Sequence, residues 1–108
     1  MAEHLPEIYA DYRERFPDVA TAMDGLGAAT GTAGPIDERT QRLVKLGLAI
    51  GAVAEGAVRS NVRKALDLGV STEELHHVAM LAITTTGLPT AIAGLQWIDE
   101  VLAARERG

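Results

Sequence analysis

The stretch Leu43 to Leu66, LVKLGLAIGAVAEGAVRSNVRKAL, constrains the fold more than any other part of the chain. It starts amphipathic, becomes almost wholly apolar from Leu46 to Ala54, and then meets a carboxylate at Glu55. Such a run suits a helix covered on most sides by other helices. Gly47 and Gly51 stand four apart and share a face, which predicts a close helix–helix crossing. A run this apolar is not expected to face water, so Glu55 is expected to sit in a low-dielectric setting.

The rest of the chain reads as helices around this one. Pro6 to Phe16 is expected to be a short helix with Leu5, Ile8, Tyr9, Tyr12 and Phe16 along one stripe. Phe16-Pro17 ends it, and Asp18 is placed to cap a second helix, Val19 to Ala29. Val19, Ala22, Met23 and Leu26 form its expected inner face. Thr30 to Pro35 is a loop by composition. Asp37 stands as the N-cap of a third helix that runs to about Val53, with Glu38 at its positive end.

From Ala54 the helical pattern continues to Leu68, and Gly69 is a natural C-cap. Ser71 and Glu74 have the spacing of a capping box. The next helix, Thr72 to about Thr86, is expected to bury Leu75, Val78, Ala79 and Ala82, with the Thr84–Thr86 hydroxyls bonding back one turn. Gly87-Leu88-Pro89 breaks it. A last helix, Pro89 to about Arg105, carries Ile92, Leu95, Ile98 and Leu102 at helical spacing. Trp97 lies off that stripe and is expected to meet another subunit. No segment alternates with a period of two. The expected fold is all-α, a compact helical domain of five or six helices, with N-terminal helices and loop over residues 1–35 and a helical core over 36–108.

A chain of 108 residues suits one domain, and one this small gains from sharing helix faces in an oligomer. Aromatic residues make up only 4%, so Leu, Ile, Val and Ala must build the core. The net charge of −5 and the lack of a basic stripe argue against nucleic-acid binding. The longest apolar run is about half of the ~20 residues that span a bilayer, and no secretory signal pattern is visible. A soluble, cytoplasmic protein without a membrane partner is expected. Cysteine is absent, which excludes disulfides, thiolate metal sites and thiol chemistry.

The run VRKALDLGVSTEELHHVAML, Val62 to Leu81, joined to the apolar helix before it, resembles the carboxymuconolactone decarboxylase family, which includes alkylhydroperoxidase D-like proteins. Arg63, Ala65, Leu66, Gly69 and the Ser71-to-Glu74 helix start carry the resemblance, over roughly residues 36 to 102. It implies an all-α fold that assembles with itself as a trimer or hexamer. Peroxidase-type members carry a Cys pair, a following His and a preceding Glu. Here those places fall on Ala54, Ala57, Asn61 and Arg42. Without a thiolate there is nothing to attack a peroxide or to be restored by disulfide exchange.

The decarboxylase branch needs a proton donor and a cationic or hydrogen-bonding clamp. On that reading Glu55 is the candidate general acid or base on a small organic acid or lactone, a decarboxylase- or lyase-type reaction. Arg59, Asn61 and His77 are the candidate substrate-binding residues. Asn61 can orient a substrate but cannot exchange a proton near neutral pH. The structural alternative makes Glu55 and Arg59 an (i, i+4) ion pair, worth about 0.2–0.5 kcal/mol when exposed. The functional alternative is a non-catalytic helical oligomer or small-ligand-binding module whose family site has degenerated. His76 and His77 point about 100° apart, and His76 with Met80 makes a poor metal site, so neither a metal nor a cofactor is expected.

Overall fold

The computed structural model describes residues 6–108, and all regular structure in them is helical. The elements are α1 (Glu7–Arg15), α2 (Pro17–Gly31), α3 (Glu38–Gly51), α4 (Glu55–Asp67), α5 (Thr72–Thr86) and α6 (Leu88–Arg107). The chain divides at Ile36/Asp37 into two compact units. The all-α expectation is met, with six helices among the described residues.

The first unit is a helical hairpin. Arg13 on α1 donates to both carboxylate oxygens of Asp24 on α2, at 3.0 and 2.5 Å, and to Tyr9 Oη at 3.2 Å. The guanidinium holds the Asp24 carboxyl below its usual range. Two expectations are corrected here. Asp18 does not cap α2; Pro17 occupies the first turn, where its missing N–H costs nothing, so Phe16 takes the N-cap place and Asp18 falls inside the helix. The predicted inner stripe of Val19, Met23 and Leu26 is exposed, as are Ile8 and Tyr9 of α1 and Phe16 at its end, and only Ala20 is buried in α1 or α2. Leu5 lies outside the described residues.

The second unit holds the core. Leu46, Ala49 and Ile50 of α3, Val58, Val62 and Ala65 of α4, Leu75, Ala79 and Ala82 of α5, and Ala91, Ile98 and Val101 of α6 form one buried cluster. α3 touches each of the other three helices. Its start is capped as expected: Asp37 accepts from Thr40 N at 3.1 Å and Thr40 Oγ1 at 2.7 Å. α5 starts with the predicted capping box, Glu74 N donating to Ser71 Oγ and Ser71 N to Glu74 Oε1. At its other end Thr86 Oγ1 donates to the Ala82 carbonyl at 3.0 Å.

The α6 stripe differs from expectation by one position. Ala91, Gly94, Ile98 and Val101 face inward and Ile92 is exposed, because only small residues fit where α6 crosses α3. An added Cβ at Gly94 would lie 2.8 Å from Ile50 Cγ2. Gly47 and Gly51 also lie at a crossing, against Val78 and Thr86 of α5, with more room at Gly47. Trp97 is half-buried and packs against its own chain's core.

The long Leu43–Leu66 run is broken at residues 52–54. Ala54 N donates to the Ala49 carbonyl and Val53 N to the Ile50 carbonyl, the paired bonds of a Schellman turn. The same two bonds close α4, from Val70 N to Ala65 and from Gly69 N to Leu66. Gly69 takes the left-handed place there with φ 82°, whereas Val53 takes it at the end of α3 with φ 53°. A β-branched residue is strained in that region.

Val53→Gly removes a left-handed penalty of about 1–2 kcal/mol and returns part of it as chain entropy, so a net gain of about 0.5–1 kcal/mol is expected in urea unfolding. Gly94→Ala forces Ile50 aside and is expected to cost about 1–3 kcal/mol, against a smaller effect of Gly47→Ala. Equal midpoints for the two alanine variants would remove the α3–α6 crossing from this account.

Candidate functional site

The structure separates the residues that the sequence grouped around Glu55. Glu55 opens α4, where a carboxylate favours the positive helix end. Its side chain is 54% exposed, so the expected low-dielectric setting is corrected. The turn at residues 52–54 ends the apolar run before Glu55 and sends its carboxylate outward. Arg59 Nε donates to Glu55 Oε2 at 3.1 Å, one helical turn on. Arg59 also reaches Glu100 on α6, where Gln96 donates to the same carboxylate at 3.0 Å. Arg59, and secondarily Gln96, hold the Glu100 carboxyl below its usual range. This is a charge network tying α4 to α6.

Asn61 faces the other way, toward α3. Its Oδ1 accepts from Arg42 Nη1 at 2.6 Å in a partly buried contact. Arg42 and Asn61, a cation and a neutral amide, are therefore in contact across α3 and α4. Arg42 Nε is buried and has no hydrogen-bond partner.

His77 lies apart from both, on α5. It lines a groove between α3 and α5 with a volume of about 540 Å³. Leu43, Val44, Gly47 and Leu48 form one wall; Val78, Leu81 and Ala82 form the other. Glu74 and His77 stand at one end, Thr85 and Thr86 at the other. Leu48 is 68% and Leu81 59% exposed, high values for leucines facing each other across a depression. Glu55, Arg59 and Asn61 are not among the lining residues. Periodicity could have exposed the groove, since Val44 and Leu48 form an apolar pair one turn apart beyond what the core uses.

Glu74 is committed to structure at the groove rim. It accepts from Ser71 N and Oγ and from Arg39 on α3. Arg39 first, then the Ser71 backbone, lower its carboxyl to about 2. His76 Nε2 lies 2.7 Å from Asp99 Oδ1, joining α5 to α6 rather than entering the groove. No three His, Cys, Asp or Glu side chains among the described residues are grouped to hold a metal. No described helix is long and apolar enough to cross a membrane.

The fold and the missing thiols define a Cys-less all-α protein built on a helical hairpin and a four-helix unit. Residues 17–100 match the carboxymuconolactone decarboxylase family, and the chain belongs to that family. Two uncharacterized proteins of Methanocaldococcus jannaschii are similar to it. MJ0742 is 23% identical over 82% of this chain and 86% of its own length; MJ1511 is 28% identical over 94% and 95%. The crystal structure of apo-lpg0406, a carboxymuconolactone decarboxylase family protein from Legionella pneumophila, has the same fold. Its TM-score is 0.73, with 24% identity over 86% of each chain.

The lowered Glu74 carboxyl carries a pH signature. It adds stability that is present above its ordinary value of 4.5 and is lost as pH falls toward about 2. Melting temperature is therefore expected to fall between those limits, and Glu74→Gln to flatten that fall. An unchanged acid limb in the variant would mean that Arg39 and Ser71 do not hold the folded carboxylate.

Proposed function

We propose that this chain is a self-associating, small-ligand-binding module that takes an apolar organic molecule in the α3–α5 groove. The observation that carries the reading is the groove itself. Its volume is that of a small-molecule site, and its walls are aliphatic with a few polar groups at the ends. His77 is the group best placed to orient a polar end of the ligand; Glu74 is already occupied by Arg39 and Ser71.

The groove is open on one side, and exposed Val44, Leu48 and Leu81 border it. Apolar surface of this kind on a small protein marks a place that is covered in use. A second copy of the chain is the cover that the family resemblance suggests, which gives a homo-oligomer with ligand between subunits. An acid–base role for Glu55 has less support, because its carboxylate is open to water and held by Arg59. Thiol peroxidase chemistry has no nucleophile in this chain.

The test is binding of a neutral apolar fluorophore, N-phenyl-1-naphthylamine, to the purified protein. Leu48→Arg and Leu81→Arg are expected to weaken it by about tenfold or more, roughly 1.4 kcal/mol, while Glu55→Gln leaves it unchanged. Light scattering of the same variants reads the subunit count. Undiminished binding in both arginine variants would end the groove reading.

A further inference from the structure

The groove between α3 and α5 has a length, a lining and a charge pattern that narrow what it can hold. The two helices run in the same direction. Arg39 in the first turn of α3 donates to Glu74 in the first turn of α5. A Cβ added at Gly51, the last residue of α3, would lie 3.3 Å from Thr86, the last of α5. The groove extends from Glu74 to Thr86, a rise of about 18 Å along α5. Its 540 Å³ spread over that length leaves a mean width of about 5–6 Å. Extended chains lie side by side at about 4.8 Å, so the space is long and slim enough for one of them.

The lining is aliphatic. Leu43, Val44 and Leu48 stand across from Val78 and Leu81, and no Phe, Tyr or Trp is among the lining residues. A planar ring therefore finds no aromatic face to stack on. A flexible hydrocarbon chain gains contact along its whole length, and each CH2 that it fully buries is worth roughly a fourfold gain in affinity.

The charges at the two ends disfavour one kind of head group. Glu73 and Glu74 precede His77 by four and three residues on the same side of α5, and Asp37 and Glu38 begin α3. Against these carboxylates stands Arg39, which Glu74 already occupies. At the other end two parallel helices present the negative ends of their dipoles, and neither has a basic residue in its last turn. No Lys or Arg lines the groove. An anionic head group is therefore repelled at both ends. His77 offers ring nitrogens that donate or accept, which suits a hydroxyl or carbonyl group. The Thr86 hydroxyl is already given to the Ala82 carbonyl.

Resting on the groove reading above, we infer that the ligand is a linear aliphatic chain with an uncharged polar head, an alcohol or carbonyl compound, lying along α3 and α5 with its head at His77. With C–C bonds of about 1.52 Å and angles of about 111°, an extended chain advances about 1.25 Å per carbon, so about fourteen carbons fill the groove. No bond is made or broken; the groove selects by shape and charge.

The experiment measures displacement of N-phenyl-1-naphthylamine from the full chain by 1-hexanol, 1-octanol, 1-decanol, decanoate and decahydro-2-naphthol, a compact ring alcohol with as many carbons as decanol. Affinity is expected to rise about three- to fourfold per carbon from hexanol to decanol. Decanoate is expected to bind at least about tenfold more weakly than decanol, and Glu73→Lys to narrow that gap at least about threefold. The ring alcohol is expected to fall at least about fivefold below decanol after correction for octanol–water partition. Decanoate binding as tightly as decanol, an unchanged gap in Glu73→Lys, or a ring alcohol equal to decanol after that correction would overturn the chain assignment and leave the groove as a site. Undiminished dye binding in both Leu48→Arg and Leu81→Arg would instead end the groove reading, and this inference with it.

Discussion

The four-helix unit depends on the seating of Ile50 against the bare backbone of Gly94. Ile50 is fully buried, and its branches occupy the volume that any side chain at Gly94 would need. α3 can lie this close to α6 only because α6 offers no Cβ at the crossing. Gly47 and Gly51 do the same, less tightly, for the approach of α5 to α3. With few aromatics to fill space, closeness of backbones replaces side-chain bulk, and aliphatic and alanine residues then suffice for a dry interior.

This arrangement divides the surface of α3. Its core arc, Leu46, Ala49 and Ile50, is spent on packing. One flank, Val44 and Leu48, remains apolar and open. At the start of that core arc, one turn before Leu46, Arg42 meets Asn61. The reversal at residues 52–54 then starts α4 at the surface, which is why Glu55 meets water and Arg59 instead of the interior.

Much of the fold was legible because its signals are local. Asp37, Gly69 and the Ser71–Glu74 box mark helix ends by chemistry that needs no distant partner. The absence of cysteine settled the question of thiol chemistry by itself. What was not legible depends on neighbours. The third helix could be ended near Val53, but a β-branched residue is a poor marker of a left-handed turn, so the reversal there was not legible. The α6 stripe was misplaced because periodicity favours the large Ile92 over the small Gly94, and close packing reverses that preference. Glu55 was drawn to the interior by the residues before it, although they belong to a different helix. The Arg42–Asn61 contact required two helices to be brought side by side; only the family resemblance had pointed to those two positions together.

Glu74 closes the capping box of α5 and also receives Arg39 from the first turn of α3. A cap normally steadies only its own helix. Here one carboxylate is shared by two helix beginnings, so fraying of either start releases a partner of the other. The amide protons at the two N-termini should then become open to solvent exchange as one cooperative unit, with α3 and α5 unzipping together from the end that bounds the groove.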